Sequence, residues 1–449
     1  MNRSARRLRQ VSRTTIRALV ALLATATLVG AGFATTVFGS KKPIEKRGSA
    51  SVEFTRDHSP LALEKADLAR RAEMVEWPVW GLSASRTRVV PGHTGLRPPF
   101  KVRYVVPGRA LIEFPPVVAY NRLFFGTHRG LVVAARVRNG KVVWTRDLKR
   151  CIAASPAVGG GVVYVAAMGP APCRPQQKTT GALFALDAYS GRTLWRLDTG
   201  MIESSPLLVK NILYFASYDE HEQSIVYALN VRTHRARWRF AVPAKVTSSP
   251  ALFSDRLYFG SYAGMLYALR ARTGKLVFAV RPPGKTGNSS GFYGTPALAY
   301  GRVYIGGING MVYAFGARSG ALQWATSTGS DVYSSPAVWR GKVYAGSYKN
   351  HRFFAFNAAT GRILWSFRAD GNILGSPTIL AGLVYFSTTS GLTYALDART
   401  GAEVWRFADG QYSPLAVAGG RVLLTGKGRI YGLDPIRPKP SSKKNARSK

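Results

Sequence analysis

Acidic side chains are scarce in this chain: 22 Asp and Glu stand against 63 Lys and Arg, for a formal charge of +41. Calcium needs six to eight oxygen ligands, often several of them carboxylates, so few places remain to build such a cage. Cysteine is almost absent as well. Cys151 and Cys173 form no CxxC pair, which removes zinc-ribbon and thioredoxin-like motifs. The six histidines (His58, His93, His128, His221, His234 and His351) show no HExxH or paired spacing, so metal catalysis finds no support. Segments that read as long amphipathic helices are nearly missing. What the chain does have is 46 Gly, 21 Tyr and 21 Phe, the composition of short strands joined by tight turns. The basic excess implies attraction to polyanions, although Lys and Arg are spread along the chain rather than gathered in one block.

One long apolar run is present. Residues 1–17 carry Arg3, Arg6, Arg7, Arg9, Arg13 and Arg17 and no acid, and Ala18 to Gly39 then passes 22 residues without a charge. At 1.5 Å per residue this spans roughly 33 Å, enough for a transmembrane helix. The upstream arginines place the N-terminus in the cytoplasm and the remainder outside it, in a single-pass cell-membrane topology. The alternative is a cleaved signal peptide, with Gly32-Phe33-Ala34 as the cleavage site and a secreted product. No cysteine follows the run, which argues against lipid attachment there. Residues 40–76 read as a polar linker to about 58 and a short helix opened by Ser59-Pro60. Residues 77–436 form the main domain, and 437–449 (RPKPSSKKNARSK) a basic disordered tail. The extracytoplasmic compartment is oxidising, so Cys151 and Cys173 are expected to form a disulfide.

Self-similarity governs everything after residue 100. Pro116, Pro156, Pro206, Pro250, Pro296, Pro336, Pro377 and Pro414, most of them preceded by Ser or Thr, stand 37 to 50 residues apart, the length of one propeller blade. After each come apolar strands such as RLYFGS (256–261) and GMLYALR (264–270), then a turn and an aromatic strand. The closing aromatics are Trp144, Trp195, Trp238, Phe278, Trp324, Trp365 and Trp405, and Phe100 in FKVRYVV supplies an eighth if an N-terminal strand completes the last blade. This predicts an all-β, eight-bladed propeller, with seven blades as the alternative. The aromatics are expected to pack blade on blade. Asp187 and Asp397 are expected to bond their own turns, with Gly191 and Gly401 providing positive φ.

The pattern A-x-D-x-x-x-G-x-x-x-W, whole at 185–195 and 395–405 and degenerate at five other places, resembles the PQQ-type propeller repeat. With the lead-in WPVWGLSASRTR at 77–88, the resemblance covers about 77–434. It implies either a quinoprotein alcohol dehydrogenase or a non-enzymatic propeller like the one in the outer-membrane β-barrel assembly machinery. The dehydrogenases are similar in using a vicinal Cys-Cys disulfide beside the quinone and a metal held by Glu, Asn and Asp. Neither set can be placed here, so no catalytic, cofactor or metal residue is assigned, and PQQ and calcium are not expected. Two weaker motifs are set aside. Ala279 to Thr286 fits a loose phosphate-loop pattern, but Pro282 and Pro283 lack N–H donors and no helix follows. The acidic YDEHEQS (218–224) reads as a hairpin tip. Insertions at 168–181 and 281–294 are candidate binding loops. The expected function is a non-catalytic scaffold with protein partners in the cell envelope. Alternatives are a module for anionic lipid or wall polymer and a PQQ-dependent enzyme; nucleic acid is not an expected partner.

Overall fold

Eight sheets account for every strand among the described residues: seven are built on four consecutive antiparallel strands, and the eighth on three joined by a strand from earlier in the chain. The computed structural model describes residues 54–55, 75–173, 180–283 and 291–436, and none of these is helical. No helix among them is long and apolar enough to cross a membrane. The apolar run 18–39, the basic stretch 1–17 and the tail 437–449 lie outside the described residues. Blade 3 shows the plan: Leu207–Val209, Ile212–Tyr218, Ser224–Asn230 and Arg235–Val242 pair in that order, from inner to outer edge. Blades 1, 2 and 4 to 8 begin at Val117, Ala157, Ala251, Ala297, Ala337, Thr378 and Leu415. The ring therefore has eight blades and not seven. The second and third strands are buried on both faces because blades stack face to face, so they read as apolar runs, as Leu266 to Leu269 do in the strand Leu266–Arg270.

Each closing aromatic sits at a β-bulge. Ala185 opposes Trp195 but Leu186 opposes Thr193, and the same shift recurs at Ala134, Ala228, Ala268, Ala314, Ala355 and Ala395. The bulge turns the ring toward the next blade. Trp144 Nε1 donates to the Ala188 carbonyl at 3.1 Å, Trp238 to Ala271 at 2.9 Å and Trp324 to Ala358 at 3.0 Å. The glycine three residues beyond each acceptor lies on the same ring. Gly191 has φ +73°, and a Cβ there would stand 2.6 Å from Trp144. In blade 3 His234 takes this place, at φ 55° and with its ring 5.1 Å from Trp195.

Blade 8 consists of Leu415–Ala418, Arg421–Thr425, Arg429–Pro435 and, outermost, Phe100–Pro107. The last two pair antiparallel, from Arg429 with Pro107 to Pro435 with Phe100. Here the expectation for Phe100 is corrected. The bulge falls at Gly432, which opposes Tyr104, and Tyr104 Oη donates to the Val137 carbonyl at 2.6 Å. Tyr104 therefore fills the tryptophan position, with its ring against Gly140 of blade 1. Phe100 lies four residues earlier and packs edge-on against Trp405 at 5.4 Å. Two further expectations change. Val75–Trp77, which includes the end of the expected helix, is a strand on the inner edge of blade 1. Phe54–Thr55, inside the expected linker, pairs with Leu197 and Arg196 on the outer strand of blade 2.

Candidate functional site at the mouth of the central channel

The Ser-Pro marker that opens each repeat has two separate jobs. Where two serines precede the proline, the first is tied to its own blade: Ser204 Oγ bonds both N–H and C=O of Ala216, and Ser334 Oγ both groups of Gly346. The residue next to the proline joins neighbouring blades. The N–H of Ser155 donates to Ser205 Oγ at 3.0 Å, Ser205 to Ser249 at 2.9 Å and Ser249 to Thr295 at 3.1 Å. Thr295 continues to Ser335 at 2.8 Å, Ser335 to Ser376 at 3.0 Å and Ser376 to Ser413 at 3.2 Å. These bonds circle the axis from blade 2 to blade 8. Blade 1 breaks the circle because Pro115 stands in the serine position, with neither an N–H nor a hydroxyl. Ser155 Oγ donates to its carbonyl instead, at 2.7 Å.

The lead-in residues 77–90 run along the inner edges of the blades. Carbonyls of Pro78, Ala84, Ser85, Thr87 and Arg88 accept from Val158, Leu252, Leu298, Val338 and Ile379, one each in blades 2, 4, 5, 6 and 7. These contacts satisfy inner-edge N–H groups that would otherwise face the channel unpaired. Arg86 and Arg88 are carried into the interior with 0% and 2% exposure. Arg86 donates to the carbonyls of Trp80, Ser205 and Pro250, and Arg88 to those of Arg86 and Pro336. Loss of water pushes Arg86 down to about 9 and Arg88 well below the usual arginine value, with the charge of Arg86 adding to the effect on Arg88. The Arg88 guanidinium lies over the Trp80 ring at 4.3 Å.

Trp80 lines a channel-mouth cavity of about 160 Å³. Glu113, Glu203, Tyr293, Tyr333 and Tyr412 share its wall with the ring residues Ser249, Thr295, Ser335, Ser376 and Ser413. Around it runs an edge-to-face chain of tyrosines, Tyr262–Tyr293–Tyr333–Tyr348, with centroids 6.1, 5.4 and 5.3 Å apart. All four are half-buried. The two carboxylates are engaged: Glu113 meets His128 Nε2 at 2.9 Å, and Glu203 accepts from Tyr218 Oη and pairs with Lys245 at 3.2 Å. Burial first, and the neighbouring carboxylates second, push Tyr218, Tyr262 and Tyr293 above the ordinary tyrosine value. They stay protonated at neutral pH, so they donate hydrogen bonds and do not act as bases. Among the described residues no group of three His, Cys, Asp or Glu comes together to hold a metal.

The residues singled out in the sequence lie elsewhere. Asp187 Oδ1 accepts from the N–H groups of Tyr189 and Ser190 at 3.0 and 2.7 Å, and Asp397 Oδ1 from those of Arg399 and Thr400, both at 2.9 Å. Gly191 and Gly401 have φ of 73° and 80°. Asp219 caps its own hairpin tip, bonding the N–H of His221 and Gln223. Cys151 and Cys173 form a disulfide with their Cα atoms 4.8 Å apart. Residues 174–179 and 284–290, parts of the two insertions, lie outside the described residues. The channel-mouth tyrosines and the buried arginines were not singled out in the sequence. The recurring Ser-Ser-Pro was seen there only as a repeat marker.

Comparison with known proteins follows the repeat. The family model described as "Outer membrane protein assembly factor BamB" matches residues 107–220, 221–329 and 308–437. The outer membrane protein assembly factor BamB of Moranella endobia is 28% identical over 175 residues, which are 36% of this chain and 41% of that protein. The chain thus spans about two fifths of the length of that curated relative. Among solved structures, BamB from Moraxella catarrhalis aligns with a TM-score of 0.57 at 17% identity, covering 76% of this chain and 99% of that one. A europium-containing methanol dehydrogenase aligns at 0.68 and 13% identity, covering 82% and 100%. At these identities the two structures share the fold with this chain.

Proposed function

This chain belongs to the outer membrane protein assembly factor BamB family, and from that membership we propose that it is a non-catalytic scaffold that docks protein partners in cell-envelope assembly. The observation that carries the reading is the tyrosine chain Tyr262–Tyr293–Tyr333–Tyr348 at the channel mouth. Half-buried tyrosines held by one another present rigid amphipathic area at low entropic cost, the character of protein-binding hot spots. The run 18–39 would hold the propeller at the outer face of the membrane, and Phe100–Pro107 would shut the ring against edge pairing. The quinone and metal of the dehydrogenases do not fit the channel residues. A cavity of about 160 Å³ is smaller than the roughly 300–1,000 Å³ of small-molecule sites. Glu113 and Glu203 in its wall would also repel the carboxylates of the quinone. Site-specific photocrosslinking from position 333 in living cells tests the reading. Envelope-assembly proteins should be captured and should be lost in Tyr293→Ala. The companion measurement adds PQQ and calcium to the full chain and expects neither a melting shift nor dye-linked alcohol oxidation. Quinone-dependent turnover would overturn the non-catalytic reading.

A further inference from the structure

The face of the ring that carries the short inner turns has a feature of its own, where blades 8 and 1 meet. An open trough of about 520 Å³ is lined by Arg122, Arg136, Arg138 and Arg421, with Tyr120, Asn121, Val137 and Gly419. Arg122 and Arg136 stand directly opposite each other on adjacent strands, an arrangement that repels. The other blades show how this fold normally avoids it. At the place of Arg136, blades 2, 3, 6 and 7 carry Asp187, Asn230, Asn357 and Asp397, each capping its own turn. Blade 4 alone repeats the arginine pair, as Arg256 opposite Arg270, and there Asp255 in the inner turn is salt-bridged to Arg270 and lies 3.9 Å from Arg256. In blade 1 the residue at the place of Asp255 is Asn121.

The trough also holds its arginines in position. Arg122 donates to the Ala188 carbonyl at 2.7 Å and lies over the Tyr189 ring at 4.8 Å. Arg421 donates to the Val137 and Arg138 carbonyls at 2.9 and 2.6 Å. Nearby carboxylates are already occupied. Asp434 pairs with Arg421 Nε at 2.9 Å, and Asp187 faces Arg122 while bonded to its own turn. Among the described residues neither Arg136 nor Arg138 has a carboxylate within ion-pair distance. Four guanidinium groups thus line one solvent-open space, three from blade 1 and one from blade 8. A tetrahedral phosphate can meet donors from several sides, whereas a carboxylate engages forks in its own plane.

We propose that this trough, at the junction of blades 8 and 1, is a binding site for a phosphate-bearing anion, independent of the channel-mouth scaffold surface. The internal symmetry supplies the test, because the neutralised blade 4 is a built-in control. Titrate the full-length chain with tripolyphosphate by calorimetry at low and physiological salt. One site per chain is expected. Asn121→Asp, which installs the carboxylate of blade 4, should weaken binding at least tenfold, and so should Arg136→Ala with Arg138→Ala. Removing two exposed arginines elsewhere, Arg362→Ala with Arg368→Ala, should change affinity less than twofold. Asp255→Asn should add a second site in blade 4. Unchanged melting temperatures exclude unfolding as the cause. Co-sedimentation with phosphatidylglycerol and phosphatidylcholine vesicles then separates the sources. Asn121-dependent pelleting with the anionic lipid alone places a lipid headgroup in the trough, and its absence leaves a soluble or polymeric phosphate. Equal weakening in trough and control variants would mean diffuse charge attraction and overturn the site. So would a titration in which Asn121→Asp binds like the wild type.

Discussion

At the residue scale, the second strand of four of the eight blades carries a tyrosine whose hydroxyl reaches the next blade. Tyr214, Tyr258, Tyr304 and Tyr344 donate to the carbonyls of Ala271, Ala317, Ala358 and Ala398, at 2.7 to 3.2 Å. Two of these carbonyls also accept a tryptophan, so one turn oxygen ties together two rings of the preceding blade. Tyr385 in blade 7 differs. It is fully buried, and its hydroxyl finds no partner among the described residues. The reason lies in blade 8, whose outer strand Phe100–Pro107 comes earlier in the chain, so Arg429–Pro435 does not lead into it through a hairpin turn that would offer a carbonyl. Tyr344→Phe should therefore lower stability by about 1 kcal/mol by leaving an acceptor unpaired, while Tyr385→Phe should be neutral or stabilising by about 1 kcal/mol. Thermal melts of the two variants check this. Equal losses would show that Tyr385 has a partner after all.

At the element scale, the disulfide fastens a loop that strand pairing does not hold. Cys151 precedes the first strand of blade 2, and Cys173 lies in the connection between its second and third strands. Backbone bonds continue the tie: Met168 N–H donates to the Cys151 carbonyl, and Cys173 N–H to that of His128 in blade 1. Closing a loop of 22 residues stabilises by roughly 3 kcal/mol in the chain-entropy model. Replacing both cysteines by serine should lower the melting temperature by several degrees, an effect that reductant reproduces only in the wild type. Thiol labelling of denatured, unreduced protein should find no free thiol. This pairing was legible because only two cysteines exist. The bulge that sets the aromatic position was less so, since an offset of four residues between Phe100 and Tyr104 is invisible until the strand is paired.

At the scale of the whole molecule, the ring has one seam unlike the others. Between blades 8 and 1 the Ser-Pro circle is interrupted at Pro115, and the outer strand comes from a distant part of the chain. Contacts that cross the seam include Tyr104 against Gly140, Tyr104 Oη with Val137, and Arg421 with Val137 and Arg138. Tyr104→Ala should therefore cost about 3 kcal/mol, the loss typical of a large aromatic packed in an interface. It should also expose the edge of Arg429–Pro435 and promote self-association. Phe100→Ala, at the end of the strand, should cost less and leave a monomer. Light scattering with thermal melts distinguishes them. A greater loss for Phe100→Ala would return that residue to the closing position.

Local rules in the sequence determined the repeat, the number of blades, the turn residues and the pairing of two cysteines. Each depends on residues within one unit of some 40 residues or on a count. Strand propensity and turn chemistry act over a few positions, so a repeat displays them eight times over. Contacts around the axis do not act that way. The Ser-Thr ring, the burial of Arg86 and Arg88 beside Trp80, the tyrosine chain at the channel mouth and the opposition of Arg122 and Arg136 unite residues from different blades or different strands. No periodicity records which side of a strand faces the channel or which arginine lacks its aspartate. Those were decided only when the ring brought blades separated in the chain into van der Waals contact.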